Sequence, residues 1–220
     1  MSITTYIHKL REEKDISFRQ LSIDSKISYG NIMDIKNGRI AYPTDSILSK
    51  LSKYLNQPKE DVLFDILKDD VDEDYSLTSL RYLCYLNTHN YTIAIKPNVP
   101  NHLRTGVMIF DGYAYKKRSG NTFTIVDSWS RIKKEHWSML RIKFRTKLDR
   151  DSWTEVFMNE DMYISNVLYF EIFRIENSGF ENIKEVVITY DKKDYDVEYV
   201  KKYIPKKIGY KIRFLDEIEK

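Results

Sequence analysis

The segment from Ser17 to Gly38, SFRQLSIDSKISYGNIMDIKNG, limits what this chain can fold into more than any other. Ser17 stands where a helix N-cap is needed, and Gln20 three residues on completes a capping-box spacing. A helix is expected there with Leu21 as its apolar anchor. Ser25 and Lys26 mark a turn, Ile27 returns the chain to the core, and Ser28 caps a second helix. In that helix Ile32 and Ile35 are three apart and share one face, while Tyr29, Gly30, Asn31, Met33, Asp34 and Lys36 lie mostly off it. Asn37 and Gly38 stop it, since both tolerate a left-handed C-cap. Packing does not account for such a polar face on so short a helix. A major groove is wide enough to admit one.

These landmarks continue on both sides. Upstream, IHKLREEKDIS places Leu10, Arg11, Ile16 and Ser17 in an opening helix and its exit. Downstream come NGRIAYP, a loop of Gly, basic residues and Pro, and DSILSKLSKYLNQP, with Ile47, Leu48, Leu51 and Leu55 as an apolar stripe. KEDVLFDIL follows, opened by Pro58 at a helix start. From about Thr4 to Leu67 the chain resembles the Cro/C1-type (Xre-type) helix-turn-helix repressors, which implies an all-α, five-helix, lambda-repressor-like DNA-binding domain.

Three positions depart from the family pattern. The resemblance calls for Gly at the turn between helices two and three, and Lys26 stands there. A left-handed Lys costs on the order of 1 kcal/mol, so a reshaped turn is expected. Phe18 stands where the family often has Gln for a polar contact at the DNA edge, and is expected to touch a thymine methyl or to pack. Lys36 replaces a common Glu that pairs with the helix-one Arg, here Arg11. Two like charges are left, both expected to face phosphates.

By the resemblance, Tyr29, Gly30, Asn31 and Asp34 meet base edges, with Ser17, Ser28, Lys36, Asn37 and Arg39 near the phosphates. The chemistry suits that division. Asn can grip adenine with two hydrogen bonds and Asp can accept from the cytosine amino group, each good pair discriminating by about 1 to 3 kcal/mol. Gly30 lets the helix approach closely. Taken singly, each of these residues also reads as part of a solvated helix face.

With 220 residues, the chain exceeds this domain by enough for a second one with its own core. The run KDDVDED, residues 68–74, is acidic and low in apolar residues, and is read as the linker between a domain at 1–67 and a second at 75–220. No signal-peptide core and no run of eighteen apolar residues stands in the sequence, so a cytoplasmic protein is expected. Cys84 is the only cysteine, which excludes an intrachain disulfide. It lies in the apolar string LRYLCYL and reads as a small buried hydrophobe. One Cys and four scattered His residues give no zinc-ligand spacing. Neither a metal nor a cofactor is expected.

The net charge of +3 is unevenly spread. Residues 1–67 carry 10 Lys/Arg against 9 Asp/Glu, whereas residues 131–150 carry 8 against 2. In that basic stretch Leu140, Ile142 and Phe144 alternate with Arg141, Lys143, Arg145 and Lys147, a period of two that fits a half-buried strand with one cationic face. The face is a candidate second nucleic-acid contact, though alternating cations also guard exposed strands against mispairing, which is the favoured reading.

TIAIKP from Thr92, GVMIFDGYAYKKR from Gly106 and TFTIVDSW from Thr122 read as a meander of strands. DMYISNVLYFEIFRI from Asp161 reads as a helix, with Ile164, Val167, Leu168, Ile172 and Ile175 apolar. EVVITYD, the helix-like VEYVKKYIPKKIG and the strand YKIRFL close the chain. The second domain is expected to be α+β with a mainly antiparallel sheet. Its ending has a loose topological likeness to PD-(D/E)xK nucleases and resolvases, which need an acid at a strand end and an acid-x-Lys pair to hold Mg²⁺. Asp111 suits the first acid. Lys116 and Lys117 lack an acid two residues earlier, and Asp127 is followed by Ser128 and Trp129, so a working nuclease is not expected. Ser119 and Ser128 lie near basic residues, but no Ser-Lys self-cleaving domain is recognisable. The Tyr, Phe and Trp residues of this domain serve core packing, an effector pocket or a dimer face.

The sequence therefore points to a sequence-specific DNA-binding transcriptional regulator, a repressor of phage or mobile-element type and not an enzyme. Its expected partners are a double-stranded operator, further copies of itself as a homodimer or higher homo-oligomer, and an antirepressor protein or small effector acting on the second domain. The alternative is a nucleic-acid-processing enzyme or antagonist that carries a helix-turn-helix targeting module and a degenerate nuclease-like domain.

Overall fold

The computed structural model describes residues 3–71, 73, 75–95, 110–116, 122–129, 168, 171, 172, 175, 176, 178–193 and 196–216. The chain divides into two units, Met1–Tyr91 and Thr92–Lys220.

The first unit is helical: α1 (Ile3–Glu13), α2 (Phe18–Ser25), α3 (Tyr29–Lys36), α4 (Asp45–Leu55), α5 (Lys59–Leu67) and α6 (Leu77–Thr88). Ile3, Ile7 and Leu10 put the apolar stripe of α1 inward, and Ile47, Leu48 and Leu51 do the same for α4. Leu55, expected in that stripe, is only partly buried. Thr44 caps α4 by accepting from the Ile47 amide at 3.3 Å, and Asn56 ends it in the left-handed conformation. Pro58 opens α5, whose Val62, Leu63, Phe64, Ile66 and Leu67 are all buried, so this helix is covered nearly all round.

That covering has a partner beyond the expected domain. Among the described residues α1 to α5 fall within 1–67, a further helix follows the acidic run, and the compact helical unit extends to Tyr91. The sixth helix, α6, is capped by Ser76 and buries Leu80, Leu83, Cys84 and Leu86. It packs along α5, where Arg81 lies over the Phe64 ring at 4.0 Å and pairs with Asp61 at 3.1 Å. The acidic run itself begins as a 3-10 turn at Lys68–Asp70, and Asp69 reaches Lys9 of α1 at 3.6 Å.

The second unit is built on β1 (Thr92–Ile95), β2 (Gly112–Lys116), β3 (Thr122–Ser128), β4 (Ile183–Tyr190) and β5 (Lys211–Asp216), with the short helix α7 (Val197–Lys201) between the last two. The strands lie in sequence order. β1, β2 and β3 pair antiparallel, but β3 with β4 and β4 with β5 pair parallel, so the sheet is mixed and not mainly antiparallel. The cause is helical crossovers: a strand that is followed by a helix returns to the sheet in the same direction, which a hairpin cannot do. In the first crossover Leu168, Glu171, Ile172, Ile175 and Glu176 are helical, and the first four, at i, i+3, i+4 and i+7, are buried. Ile164 and Val167 of the expected helix lie outside the described residues. In the second crossover α7 is shorter than the helix-like stretch, which runs into Pro205.

The core of this unit gathers Phe110, Ile125, Trp129, Leu168, Ile172, Ile175, Val186, Ile188, Tyr190, Val197 and Val200. Val186 to Tyr190 form a continuous buried run, as expected of a central strand covered on both faces. Tyr113, Phe123 and Phe180 make a second aromatic contact set, with Phe180 centred 4.9 Å from Tyr113 and 5.0 Å from Phe123. Among the described residues no helix is long and apolar enough to cross a membrane.

Candidate nucleic-acid interface

The two capped helices form as their sequence demands. Ser17 Oγ accepts from the Gln20 amide at 3.1 Å, and Ser28 Oγ accepts from the Asn31 amide at 3.3 Å. Only half of the expected capping box is made, because the Gln20 side chain turns forward and donates to Asp24 Oδ1 at 2.7 Å. Leu21, Ile27, Ile32 and Ile35 carry the inward faces, each no more than 1% exposed.

The turn between α2 and α3 is not reshaped around Lys26. Lys26 adopts the left-handed conformation, φ 57° and ψ 21°, that its position requires. Side chains on both sides over-determine it. Ser22 Oγ donates to the Ile27 carbonyl at 2.7 Å, Ser25 Oγ donates to the Leu21 carbonyl at 2.6 Å, and the Ile27 amide donates to Ser25 Oγ at 3.3 Å. The strain is local and offset by these bonds. At the other end of α3, Thr4 Oγ1 of α1 donates to the Ile35 carbonyl at 2.7 Å. The chain then leaves through Gly38, whose φ of +71° favours glycine, while Asn37 stays right-handed at φ −86°.

What remains of α3 faces outward. Tyr29 is 51% exposed, Gly30, Ser28, Lys36, Asn37, Arg39 and Ser17 are exposed, and Asn31 and Asp34 are partly so. Gly30 decides how this face is read. A Cβ built there meets nothing within 4 Å, so no neighbour in the chain requires glycine, although glycine inside a helix costs roughly 0.5–1 kcal/mol against Ala.

The face is not simply a row of free groups. Arg39 Nη1 lies 3.1 Å from Asp34 Oδ1, so a residue expected to read a base and one expected to hold a phosphate satisfy each other. Phe18 is half-buried and packs edge-on against His8, with the ring centres 5.0 Å apart. The Arg11 guanidinium lies 5.4 Å, and the Lys36 ammonium 5.2 Å, from its ring centre. The two like charges that replace the family's ion pair are thus brought together by an aromatic ring. The sequence signal for this was the coincidence of Phe18 and Lys36, read there as two separate departures.

Residues 6–66 match the Cro/C1-type HTH DNA-binding domain. The match covers α2, the turn and α3 whole, so the chain carries a Cro/C1-type DNA-binding domain, as the resemblance implied, and the exposed face of α3 belongs to its helix-turn-helix. No family model matches the C-terminal part. No curated protein and no solved structure matches the chain.

Outside the Cro/C1-type domain, Asp111 and Asp127 come together. The Asp111 amide donates to Asp127 Oδ1 at 3.3 Å where β2 and β3 pair, and both side chains are at most 1% exposed. Trp129, two residues after Asp127, is a core residue, its ring 5.4 Å from Phe214. Lys116 sits at the far end of β2 from Asp111, about 16 Å along an extended strand. Among the described residues no group of three His, Cys, Asp or Glu is placed to hold a metal. The basic stretch with Arg141, Lys143, Arg145 and Lys147 lies outside the described residues, as do Lys117 and Ser119.

Proposed function

We propose that the chain is a sequence-specific transcriptional regulator, a repressor of phage or mobile-element type acting in the cytoplasm, and not an enzyme. Its Cro/C1-type domain reads one half-site. Tyr29, Gly30, Asn31 and Asp34 face base edges in the major groove, and Ser17, Ser28, Lys36, Asn37 and Arg39 face the flanking phosphates. The observation that carries this reading is Gly30, a first-turn glycine of α3 on an exposed polar face that no intramolecular contact requires.

Dimerisation follows from energetics. One short helix discriminates little, and two spaced about 34 Å apart on an operator roughly add their base-reading energies. The second unit supplies that pairing and takes the releasing signal, a small ligand or an antirepressor protein. The test is selection of bound duplexes from a random library with the full chain and with its first unit alone. A two-fold symmetric site bound more tightly by the full chain is expected. Selection of no site by the full chain refutes the reading.

One observation favours a second reading, in which the C-terminal unit is a degenerate nuclease-like domain. The Asp111 backbone amide meets the Asp127 carboxylate at neighbouring strand ends, the place where such enzymes keep their acids, but Trp129 stands two residues after Asp127 where they keep a lysine. Incubation of plasmid DNA and RNA with the protein and Mg²⁺ separates the two. Metal-dependent nicking without a footprint reverses the ranking.

A further inference from the structure

Phe18 gathers three basic side chains from two other helices: His8 and Arg11 from α1 and Lys36 from the last turn of α3. The negative ring face attracts each of the two permanent cations. The carboxylate near them is Glu12, 3.0 Å from Arg11 Nη2 and itself 66% exposed, an ion pair that water screens and a stronger anion displaces. Among the described residues no carboxylate pairs with Lys36. Phe18 is also the first residue of α2, whose first-turn peptide N–H groups have no acceptor within the helix. Lys36 is seven residues, two helical turns, beyond Tyr29 and lies on the same edge of α3. A helix lying in a major groove has a sugar-phosphate strand along each edge.

We propose that Phe18 is the positioning residue of a two-cation clamp, in which its ring holds Arg11 and Lys36 to take a DNA backbone phosphate along the Tyr29 edge of α3. The clamp rests on the DNA-binding reading above and adds to it an aromatic residue that sets where both charges, Arg11 and Lys36, stand. It fixes register on the duplex and carries no base preference of its own.

The test is the salt dependence of binding of the full chain to its selected operator. Wild type is compared with Phe18→Leu, which keeps apolar bulk without the ring, and with Phe18→Tyr, which keeps the ring. Phe18→Leu lowers the log–log salt slope by about 0.9, one phosphate's share, leaves the base preference unchanged, and Phe18→Tyr restores the slope. Arg11→Gln lowers the slope by the same amount in wild type and by nothing in the Phe18→Leu background. A role confined to packing lowers the melting temperature of Phe18→Leu and leaves its slope at the wild-type value, which overturns the clamp. If Phe18→Leu does not fold, Arg11→Gln and Lys36→Gln decide instead: each lowers the slope, and together they lower it no further. Wild-type slopes in both overturn the clamp alone. A wild-type chain that selects no DNA overturns the clamp and the DNA-binding reading together.

Discussion

Asp34 and Arg39 hold each other across the end of α3, carboxylate to guanidinium at 3.1 Å, on the face that meets DNA in the proposed complex. The pair occupies one guanidinium nitrogen and one carboxylate oxygen, so DNA contacts compete with it for those atoms. The pair is exposed, so it is worth at most about 1 kcal/mol and its exchange for DNA contacts costs little. Asp34→Asn is therefore expected to change unfolding stability by less than about 0.5 kcal/mol in urea titrations. In library selection the same variant relaxes base preference at one operator position, and a preference identical to wild type rules out base reading by Asp34.

Gly30→Ala separates stability from binding. The added Cβ meets no neighbour and Gly30 lies in the first turn of α3, so the variant gains up to about 0.5 kcal/mol of helix stability and melts at a slightly higher temperature. The same methyl group stands between α3 and the groove floor, so affinity for the selected operator falls. A variant that is more stable and binds as tightly as wild type removes the argument that glycine serves close approach.

At Lys26 the prediction concerns strain. A side chain in the left-handed region costs about 1–2 kcal/mol, and Lys26→Gly relieves it while adding the chain entropy of glycine to the unfolded state. A net gain of up to about 1 kcal/mol is expected in denaturant melts, with operator affinity unchanged, because the turn geometry is already the one glycine would take.

High pH is expected to loosen the first unit. Burial pushes the Cys84 thiol from 9.0 up to about 12, with Arg81 opposing and Asp61 adding to the shift. Burial first, then Asp65 and Glu13, raise the Tyr6 hydroxyl from 10.0 to about 12. Both groups stay protonated in the folded state where the unfolded chain has already lost the proton. Their stabilisation is complete below pH about 9 and is lost as pH climbs to about 12. Denaturant melts between pH 8 and 11 should show a shallower decline for Cys84→Ala and Tyr6→Phe than for wild type, and parallel curves would count against the buried assignments.

The sixth helix makes a prediction about fragments. Residues 1–67 alone leave α5 without Leu80, Leu83 and the Arg81 cover over Phe64, whereas residues 1–91 keep them. Thermal melts should therefore show cooperative unfolding for 1–91 and a markedly lower midpoint for 1–67. Equal midpoints mean that α6 adds nothing to the DNA-binding unit.

The helix-turn-helix was legible because its signals are local. Ser17 and Ser28 cap, Leu21, Ile32 and Ile35 repeat at helical spacing, and each acts within one or two turns of itself. The retained turn at Lys26 was not foreseen, because the bonds from Ser22 and Ser25 that hold it are invisible to a propensity argument. α6 was missed for a related reason: an acidic run before it read as a linker, and only the burial of α5 on every side shows that another helix is needed. The strands were found by composition, but parallel and antiparallel strands share a period of two, so pairing direction had to come from the crossovers. Asp34 with Arg39, and Phe18 with Arg11 and Lys36, depend on side chains meeting across a helix end or between helices, which no spacing rule encodes.

The parallel pairing of β3 with β4 also sets an order of events. These neighbours are separated by residues 129–182, so the middle of the sheet waits for a distant partner, while in the first unit α2 meets α3, α4 meets α5 and α5 meets α6, each close by in the chain. Local encounters are fast and remote ones slow. On a ribosome, where the amino end emerges first, the helical unit closes while β1 to β3 still wait for β4.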